Sequence, residues 1–210
     1  MMKLCYAPGS CATVSHLVLE EAGAQYDLKR IDLAKGEQRT EPYLKINPNG
    51  RVPALILDDG RALIENIGIL TYVARLHPAA QLIPTDTYGE ARCYSTMSLF
   101  ASSVHVAWAH NARPERYTTN PSAIPNLREI GRKTFFKYLQ LIDGWLKDRG
   151  WLFDQYSVCD PYALVLYGWG LRGELPVGEL KSYTAHKDRM LKRPAVRRVL
   201  EREESVLLKS

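Results

Sequence analysis

The sequence lacks the segments that mark membrane-spanning or exported proteins. No apolar run among its 210 residues approaches the ~20 residues that a membrane span needs. The first residues enter an apolar stretch directly, with no basic segment of the kind that begins a secretion signal. We therefore expect a cytoplasmic protein with no membrane partner.

Cysteine is scarce, and its spacing excludes the common zinc sites. The 4 cysteines are Cys5, Cys11, Cys93 and Cys159. Widely separated cysteines in a chain without an export signal are typical of reduced thiols in a cytoplasm. The sequence therefore predicts no disulfide framework, no metal centre and no bound cofactor.

Repeats and low-complexity tracts are absent, and the composition is ordinary for a globular protein, with 46% hydrophobic and 24% charged residues. A net charge of +5 favours anionic partners, either acidic small molecules or polyanions. Basic residues crowd positions 187–202, but glutamates are mixed among and just after them, and no aromatic platform accompanies them. We expect a solvated helix face there and no nucleic-acid partner.

The first part of the chain alternates strand and helix signals. Asp59-Gly60 predicts a two-residue hairpin, and Ser10 and Gly23 bound the first helix as N-cap and C-terminal glycine. The order is βαβ, a connecting loop and then ββα, which predicts an α/β thioredoxin-like domain. Its predicted elements are strands over 3–6, 26–33, 52–57 and 62–64, helices over 10–23 and 65–76, and a short helical turn at 43–44.

Every strong signal after the first part is helical. Helical periodicity covers 88–110, 127–149, 157–171 and 194–208. Ser157 and Asp160 have the spacing of a capping box, and the helix after them is apolar nearly all round, as in the centre of a helical bundle. The predicted organisation is a thioredoxin-like domain over 1–78, a turn-rich linker over 79–87 and an all-α helical-bundle domain over 88–210.

Cys11 is the most informative single residue. It lies at the predicted start of the first helix, where free N–H groups and the positive end of the helix dipole favour a thiolate. The residues after it contain no second cysteine, so there is no C-x-x-C pair. A reactive thiol and a buried structural cysteine are both open from the residues alone.

Five short motifs occur in a fixed order along most of the chain: Tyr6-Ala7-Pro8-Gly9-Ser10-Cys11, Asn47-Pro48-x-Gly50-x-Val52-Pro53, Asp58-Asp59-Gly60, Glu65-Asn66 and Ser157-x-x-Asp160-Pro161-Tyr162. With them the chain resembles the cytosolic glutathione S-transferase family, most of all its bacterial beta class. The resemblance implies a homodimeric enzyme that conjugates or exchanges glutathione, a co-substrate, with small hydrophobic electrophiles or disulfides. These would bind in a cleft of the second domain, which would also carry the dimer contacts. Two alternatives stay open: a glutathione-dependent thiol–disulfide reductase, and a non-catalytic glutathione-binding regulatory protein.

The resemblance also implies how glutathione is held. The backbone of Val52, before a cis Pro53, would pair with the cysteinyl part, as an extended peptide pairs with a strand. N–H groups at the helix start would hold the γ-glutamyl carboxylate, while Glu65 takes the ammonium. The implied glutathione-binding set is Leu33, Lys35, Arg51, Val52, Pro53, Glu65 and Asn66, with Lys35 and Arg51 as cations for the glycyl carboxylate. From the residues alone, a trans proline, a first-turn acid and a solvated lysine are the alternatives.

Catalysis would depend mainly on Cys11, assisted by Ser10, Tyr6 and His105. Cys11 would either form a mixed disulfide with glutathione or stabilise the glutathione thiolate during attack on an electrophile. His105, in the pair Val104-His105, matches a beta-class histidine that reaches toward the glutathione sulfur. A half-buried structural histidine and a packing tyrosine remain the alternatives for His105 and Tyr6.

Overall fold

A computed structural model describes residues 1–209. By its internal contacts the chain divides into two units, Met1–Glu90 joined by the chain from Leu191 onward, and Ala91–Met190. This grouping differs from the predicted boundaries, because the segment after Leu191 belongs with the first unit and not with the helical one.

The first unit contains a four-stranded sheet in the order β2-β1-β3-β4. Strand β1 pairs with β2 in parallel and with β3 antiparallel, and β3 pairs with β4 antiparallel. The predicted thioredoxin-like βαβ–ββα arrangement is therefore confirmed. The strands are β1 (Met2–Tyr6), β2 (Tyr26–Arg30), β3 (Ala54–Ile56) and β4 (Ala62–Ile64).

The hairpin between β3 and β4 is one residue longer than predicted. The Leu57 N–H donates to the Arg61 carbonyl at 2.7 Å, which leaves a three-residue loop between them. Gly60 has φ 85, the left-handed conformation that a bulge at this position requires. The Asp-Gly signal thus located the turn correctly but not its length.

Three main helices pack in the first unit. They are α1 (Ala12–Glu21), α3 (Asn66–Leu76) and α9 (Pro194–Arg202), and a single turn, α2 (Glu41–Leu44), precedes β3. Helix α1 is buried from Ala12 to Leu19 because it packs on the sheet and against both α3 and α9. The core around it includes the fully buried Leu4, Leu17, Leu55 and Leu70.

The second unit is helical. Its helices are α4 (Thr87–Leu99), which begins just before the unit, α5 (His105–Ala112), α6 (Ile124–Leu146), α7 (Cys159–Arg172) and α8 (Lys181–Leu191). Residues Cys159 to Gly170 of α7 are all buried, which confirms its predicted place at the centre of the bundle.

The predicted capping box also forms. The Ser157 N–H donates to Asp160 Oδ2 at 2.8 Å, and the Cys159 N–H donates to Ser157 Oγ at 3.2 Å. Asp160 Oδ1 accepts the Leu152 N–H at 3.0 Å and lies 3.0 Å from His186 Nε2. These contacts fix the start of α7 in the core.

Two helical predictions need correction. The region 88–110 is not one continuous α-helix, because a π-helical segment, Phe100–Val104, separates α4 from α5. Helix α8 was not predicted at all. Its buried residues Tyr183, His186, Lys187 and Met190 keep helical spacing, but two of the four are polar, so the apolar pattern is hidden.

Candidate functional site

The turn that carries Cys11 is fixed by its own neighbours. Gly9 has φ 65, and Ser10 Oγ donates to the Ala7 carbonyl at 2.7 Å while accepting the Ala12 N–H at 3.1 Å. Ser10 therefore provides the capping hydrogen bond predicted for it, although α1 begins one residue later than expected and Cys11 itself precedes the first helical residue. The Cys11 side chain is half-buried at this helix start.

The Cys11 thiol contacts the backbone before Pro53. Its Sγ donates to the Val52 carbonyl at 3.3 Å. The Val52–Pro53 peptide bond is cis, as the resemblance implied. Since β3 begins only at Ala54, the polar backbone groups of Val52 lie outside the strand ladder. The cysteine and the backbone expected to bind the cysteinyl part of glutathione therefore lie side by side.

The loop before Val52 is held by buried polar side chains. The Tyr43 hydroxyl and Asn47 Nδ2 both donate to the Arg51 carbonyl at 2.7 Å. Gly50 has φ 57, and a Cβ there would lie 3.1 Å from the Gln38 carbonyl oxygen, which leaves little room for another residue. Asn47 and Gly50 of the Asn-Pro-x-Gly sequence therefore help to hold the loop that leads to Val52.

The start of α3 lies against the same turn. Asn66 Nδ2 donates to the Cys11 carbonyl at 2.9 Å, and Asn66 Oδ1 accepts the Ser15 hydroxyl at 2.7 Å. The Asn66 side chain is thus used inside the protein, and what it leaves for a ligand is its backbone N–H at the first turn of α3. Glu65, just before, is exposed and has φ 65 and ψ 132, an uncommon conformation for a residue with a side chain.

The cations expected to bind the glycyl carboxylate lie on the surface. Lys35 is 79% exposed, with its Nζ 3.5 Å from Asp32 Oδ2. The Arg51 side chain and Leu33 are also exposed. The structure brings Cys11, Val52 and Asn66 into one connected group. The side chains of Leu33, Lys35 and Arg51 are exposed and do not belong to that group.

Tyr6 and the other cysteines are buried. The Tyr6 ring meets the His16 ring edge-on with centroids 5.4 Å apart, a contact that favours the packing alternative. Burial raises the pKa of the Cys5 thiol, although the charges of Lys29 and Lys3 oppose this. Burial and the neighbouring Cys93 thiol raise the pKa of Cys159. Cys11 is the one cysteine with an exposed surface, since the other three are fully buried.

His105 lies in the second unit, at the first residue of α5 and directly after the π-helical segment. Its ring packs on Trp169 of α7 with centroids 4.7 Å apart, and Trp169 in turn stacks on Trp108 at 5.9 Å. His105 is half-buried. Short π-helical segments are frequent at functional sites. The contribution of His105 toward the glutathione sulfur stays a prediction.

One residue near the Cys11 turn was missed from the sequence. Glu203, just after α9, has a fully buried carboxylate, and its Oε2 accepts the Gly9 N–H at 2.9 Å and the Thr13 hydroxyl at 2.6 Å. Its Oε1 lies 2.7 Å from His16 Nδ1. The expectation of a solvated face is therefore wrong for Glu203. No local signal marks it, because 194 positions separate it from Gly9.

Residues 1–209 contain neither a metal-binding cluster nor a membrane-spanning helix. Within them no group of three or more histidine, cysteine and acidic residues is arranged to hold a metal ion. In the same part of the chain, no helix combines the length and apolarity required to cross a membrane.

Comparison with known proteins agrees with this fold. The glutathione S-transferase N-terminal domain family matches residues 2–75, the part that carries the sheet and the Cys11, Val52 and Asn66 group. Glutathione S-transferase GstA of Escherichia coli O157:H7 is 32% identical over 205 residues, covering 96% of this chain and 98% of its own. The chain therefore belongs to the cytosolic glutathione S-transferase family.

Solved structures place it further within that family. A glutathione transferase homolog from Sulfitobacter with bound glutathione has a TM-score of 0.91 and 32% identity, covering 96% of this chain and 98% of its own. A bacterial beta class glutathione S-transferase from Sphingomonas chungbukensis has a TM-score of 0.84 and 31% identity, covering 96% of this chain and 98% of its own. The chain is thus similar to the bacterial beta class, as its motifs indicated.

Proposed function

We propose that this protein binds reduced glutathione in its first unit and transfers the glutathione thiolate to a small hydrophobic electrophile. The observation that carries the proposal is the 3.3 Å contact between Cys11 Sγ and the Val52 carbonyl, beside the cis Pro53. It brings a half-buried thiol next to backbone groups outside the strand ladder. The bound glutathione of the Sulfitobacter relative supports the same ligand here.

Each part of glutathione has a counterpart in the chain. The Val52 backbone would pair with the cysteinyl part, and the first N–H groups of α3 would hold the γ-glutamyl carboxylate, with Glu65 on the ammonium. Arg51 and Lys35 would take the glycyl carboxylate. Because both cations are exposed, each should contribute only about 1 kcal/mol or less, near fivefold in affinity.

In the transfer, the glutathione thiolate attacks the electrophilic carbon, a carbon–sulfur bond forms, and the leaving group departs with the electron pair of its bond. Cys11 and Ser10, at the helix start, would stabilise and place the attacking sulfur without forming a bond to it. His105 would assist at the sulfur, and a hydrogen bond from the Tyr6 hydroxyl to the sulfur stays a prediction.

Covalent use of Cys11 is the competing mechanism. A Cys11 thiolate would attack a glutathione mixed disulfide and expel the partner thiolate. A second glutathione thiolate would then attack the glutathione sulfur of this new mixed disulfide, so that oxidised glutathione forms and Cys11 leaves as the regenerated thiolate. Cys11 is half-buried and forms no disulfide, so its thiol can take part in this reaction as well.

Calorimetric titration of reduced glutathione, followed by activity assays, tests the proposal. We expect one-to-one binding per subunit for the wild type, weaker binding for Cys11→Ala, and wild-type binding for Cys93→Ala, which removes a buried thiol in the second unit. Conjugation of an aryl halide that survives Cys11→Ala while disulfide reduction is lost would assign covalent chemistry to Cys11. Absence of binding at millimolar glutathione would end the transferase proposal, and binding without either activity would indicate a regulatory protein.

The family resemblance also supports a cytoplasmic homodimer with the electrophile cleft and dimer contacts in the helical domain. Light scattering after size-exclusion chromatography should give twice the 23.8 kDa chain mass. A mass of one chain would contradict the dimer and leave the glutathione site unaffected.

A further inference from the structure

Two cysteines meet inside the second unit. Cys93, on α4, and Cys159, the first residue of α7, are both 0% exposed. Their Sγ atoms lie 3.6 Å apart, a direct contact in which the S–H group of one thiol can donate to the sulfur of the other. Because 66 positions separate the two residues in the sequence, this contact is produced by the packing of α4 against α7.

The neighbours of both thiols keep the two sulfurs together. The Cys159 N–H donates to Ser157 Oγ at 3.2 Å in the capping box of α7, and Cys159 Sγ also lies 3.6 Å from the Cys93 carbonyl oxygen. Phe100, just after α4, packs edge-on against Tyr162 of α7, with ring centroids 5.4 Å apart. The two sulfurs therefore need to approach by only ~1.5 Å to reach the length of an S–S bond.

Burial decides which reactions the two thiols can undergo. Burial and the neighbouring Cys93 thiol raise the pKa of Cys159, so little thiolate is present and reaction is slow. A molecule as large as glutathione has no access to sulfurs without exposed surface, whereas hydrogen peroxide is small enough to enter during local opening. A sulfenic acid that forms on one cysteine then lies beside the thiol of the other, and such pairs condense to a disulfide.

We propose that Cys93 and Cys159 form a redox site, at which hydrogen peroxide converts the two thiols into a disulfide that ties α4 to α7. One sulfur attacks the peroxide, the O–O bond breaks, and a sulfenic acid forms while the other oxygen leaves as water with the thiol proton. The second sulfur attacks the sulfenic sulfur, the S–S bond forms, and the hydroxyl group leaves as a second water. Two electrons thus pass from the thiols to the peroxide. Bonds of this kind in reducing compartments are mostly transient and redox-sensing.

Mass spectrometry of peroxide-treated protein tests this proposal. The starting protein is the Cys11→Ala variant, which lacks the exposed thiol, and Cys5, fully buried in the first unit, is the internal control. Treatment below the unfolding range is followed by unfolding, alkylation with iodoacetamide and digestion. We expect the intact mass to fall by two hydrogen atoms, a linked pair of peptides that contain Cys93 and Cys159, and a Cys5 that is still alkylated. Dithiothreitol should restore both thiols.

Cys93→Ala and Cys159→Ala, each in the same background, are the matched controls and should give no linked peptides. The disulfide should also raise Tm by about 5–10 °C in the absence of reductant, because it cross-links positions far apart in the chain. The mass measurement needs neither alanine variant, so it decides the proposal even where a variant is not recovered folded.

Two free thiols at Cys93 and Cys159 after prolonged treatment would overturn the proposal, and so would a sulfinic acid on either residue without a link. Loss of the Cys5 thiol at the same rate would overturn it as well, since oxidation would then follow unfolding of the whole chain. A linked protein whose Tm is unchanged or lower would contradict the tie between α4 and α7. Glutathione binding does not enter these outcomes, so they stand whether or not the proposed function holds.

Discussion

Replacing Asn66 by alanine should destabilise the first unit, because its side chain joins two elements at the Cys11 turn. Asn66 is 5% exposed. Its Nδ2 donates to the Cys11 carbonyl at 2.9 Å and its Oδ1 accepts the Ser15 hydroxyl at 2.7 Å. Asn66→Ala removes both hydrogen bonds and leaves a buried hydroxyl without its acceptor.

The size of the loss depends on what the two groups that bonded to Asn66, the Cys11 carbonyl and the Ser15 hydroxyl, can do without it. Leaving a buried polar group unpaired costs about 1–3 kcal/mol. The Cys11 carbonyl, however, still accepts the Val14 N–H at 3.2 Å. The Ser15 hydroxyl can rotate toward this same carbonyl, four residues earlier in the chain, so part of the lost bonding is recovered. We therefore expect a loss of about 2 kcal/mol in the free energy of unfolding, near the lower end for two broken bonds. For a chain of this size that is about 4–8 °C in Tm.

Urea unfolding of Asn66→Ala, Ser15→Ala and the double variant measures this loss and its coupling. The two single changes share one hydrogen bond, so the double variant should lose about 1 kcal/mol less than their sum. Asn126→Ala, exposed on α6, is the control and should stay within about 0.5 kcal/mol of the wild type. A loss below 0.5 kcal/mol for Asn66→Ala, or strict additivity with Ser15→Ala, would refute the claim that the Asn66 side chain links Cys11 to Ser15.

Three further predictions concern stability and reactivity. Asp160→Ala should cost about 4 kcal/mol by urea unfolding, since it leaves His186 and two backbone N–H groups unpaired in the core; a loss under 1 kcal/mol would contradict this. Iodoacetamide should modify Cys11 first, as the other cysteines are fully buried, which peptide mass spectrometry can check. Burial alone would raise the pKa of Glu20, but hydrogen bonds from Tyr26 and Arg198 lower it. The stability that ionised Glu20 contributes is therefore present above about pH 4.3, the usual glutamate pKa, and is lost as the pH falls through the lowered pKa. Glu20→Gln should therefore flatten the acid side of the stability profile, and an unchanged profile would contradict this.

The features that the sequence predicted well are those set by neighbouring residues. The capping box between Ser157 and Asp160 spans three positions, so its partners are visible in the chain itself. The same holds for the Ser10 cap and for the Asp59-Gly60 turn. Turn length was not predictable, because whether a residue such as Asp58 joins the loop or the strand depends on how the two strands pair.

Helix α8 shows why an element with clear periodicity can still be missed. Its buried positions recur at helical spacing, but His186 and Lys187 occupy two of them. His186 is tolerated in the core because Asp160 accepts from it at 3.0 Å. The Lys187 amine reaches Asp188 at 2.9 Å. A pattern based on apolarity cannot recognise a face whose burial depends on partners elsewhere.

The candidate site likewise has features that the sequence predicts and contacts that it does not predict. The cysteine and the cis proline, at Cys11 and Pro53, follow from short motifs, whereas the hydrogen bonds that join them to α3 depend on packing between separate elements. Asn66 illustrates the difference. Its position was predicted for glutathione, but its side chain is already used between Cys11 and Ser15, which only the fold reveals.

The C-terminal segment shows this most clearly, because some of its charged side chains pair near the surface while another is fully buried. Arg193 and Arg198 pair with glutamates of α1, as basic side chains at the edge of a packed helix commonly do. Glu203, ten residues after Arg193, is fully buried. A glutamate cannot be assigned to the interior from its own neighbours, since burying a carboxylate is unfavourable until donors surround it. Those donors lie between Gly9 and His16, at the opposite end of the chain. The same residues frame Cys11, so the sequence distance that hid Glu203 also conceals how the C-terminal segment is connected to the candidate site.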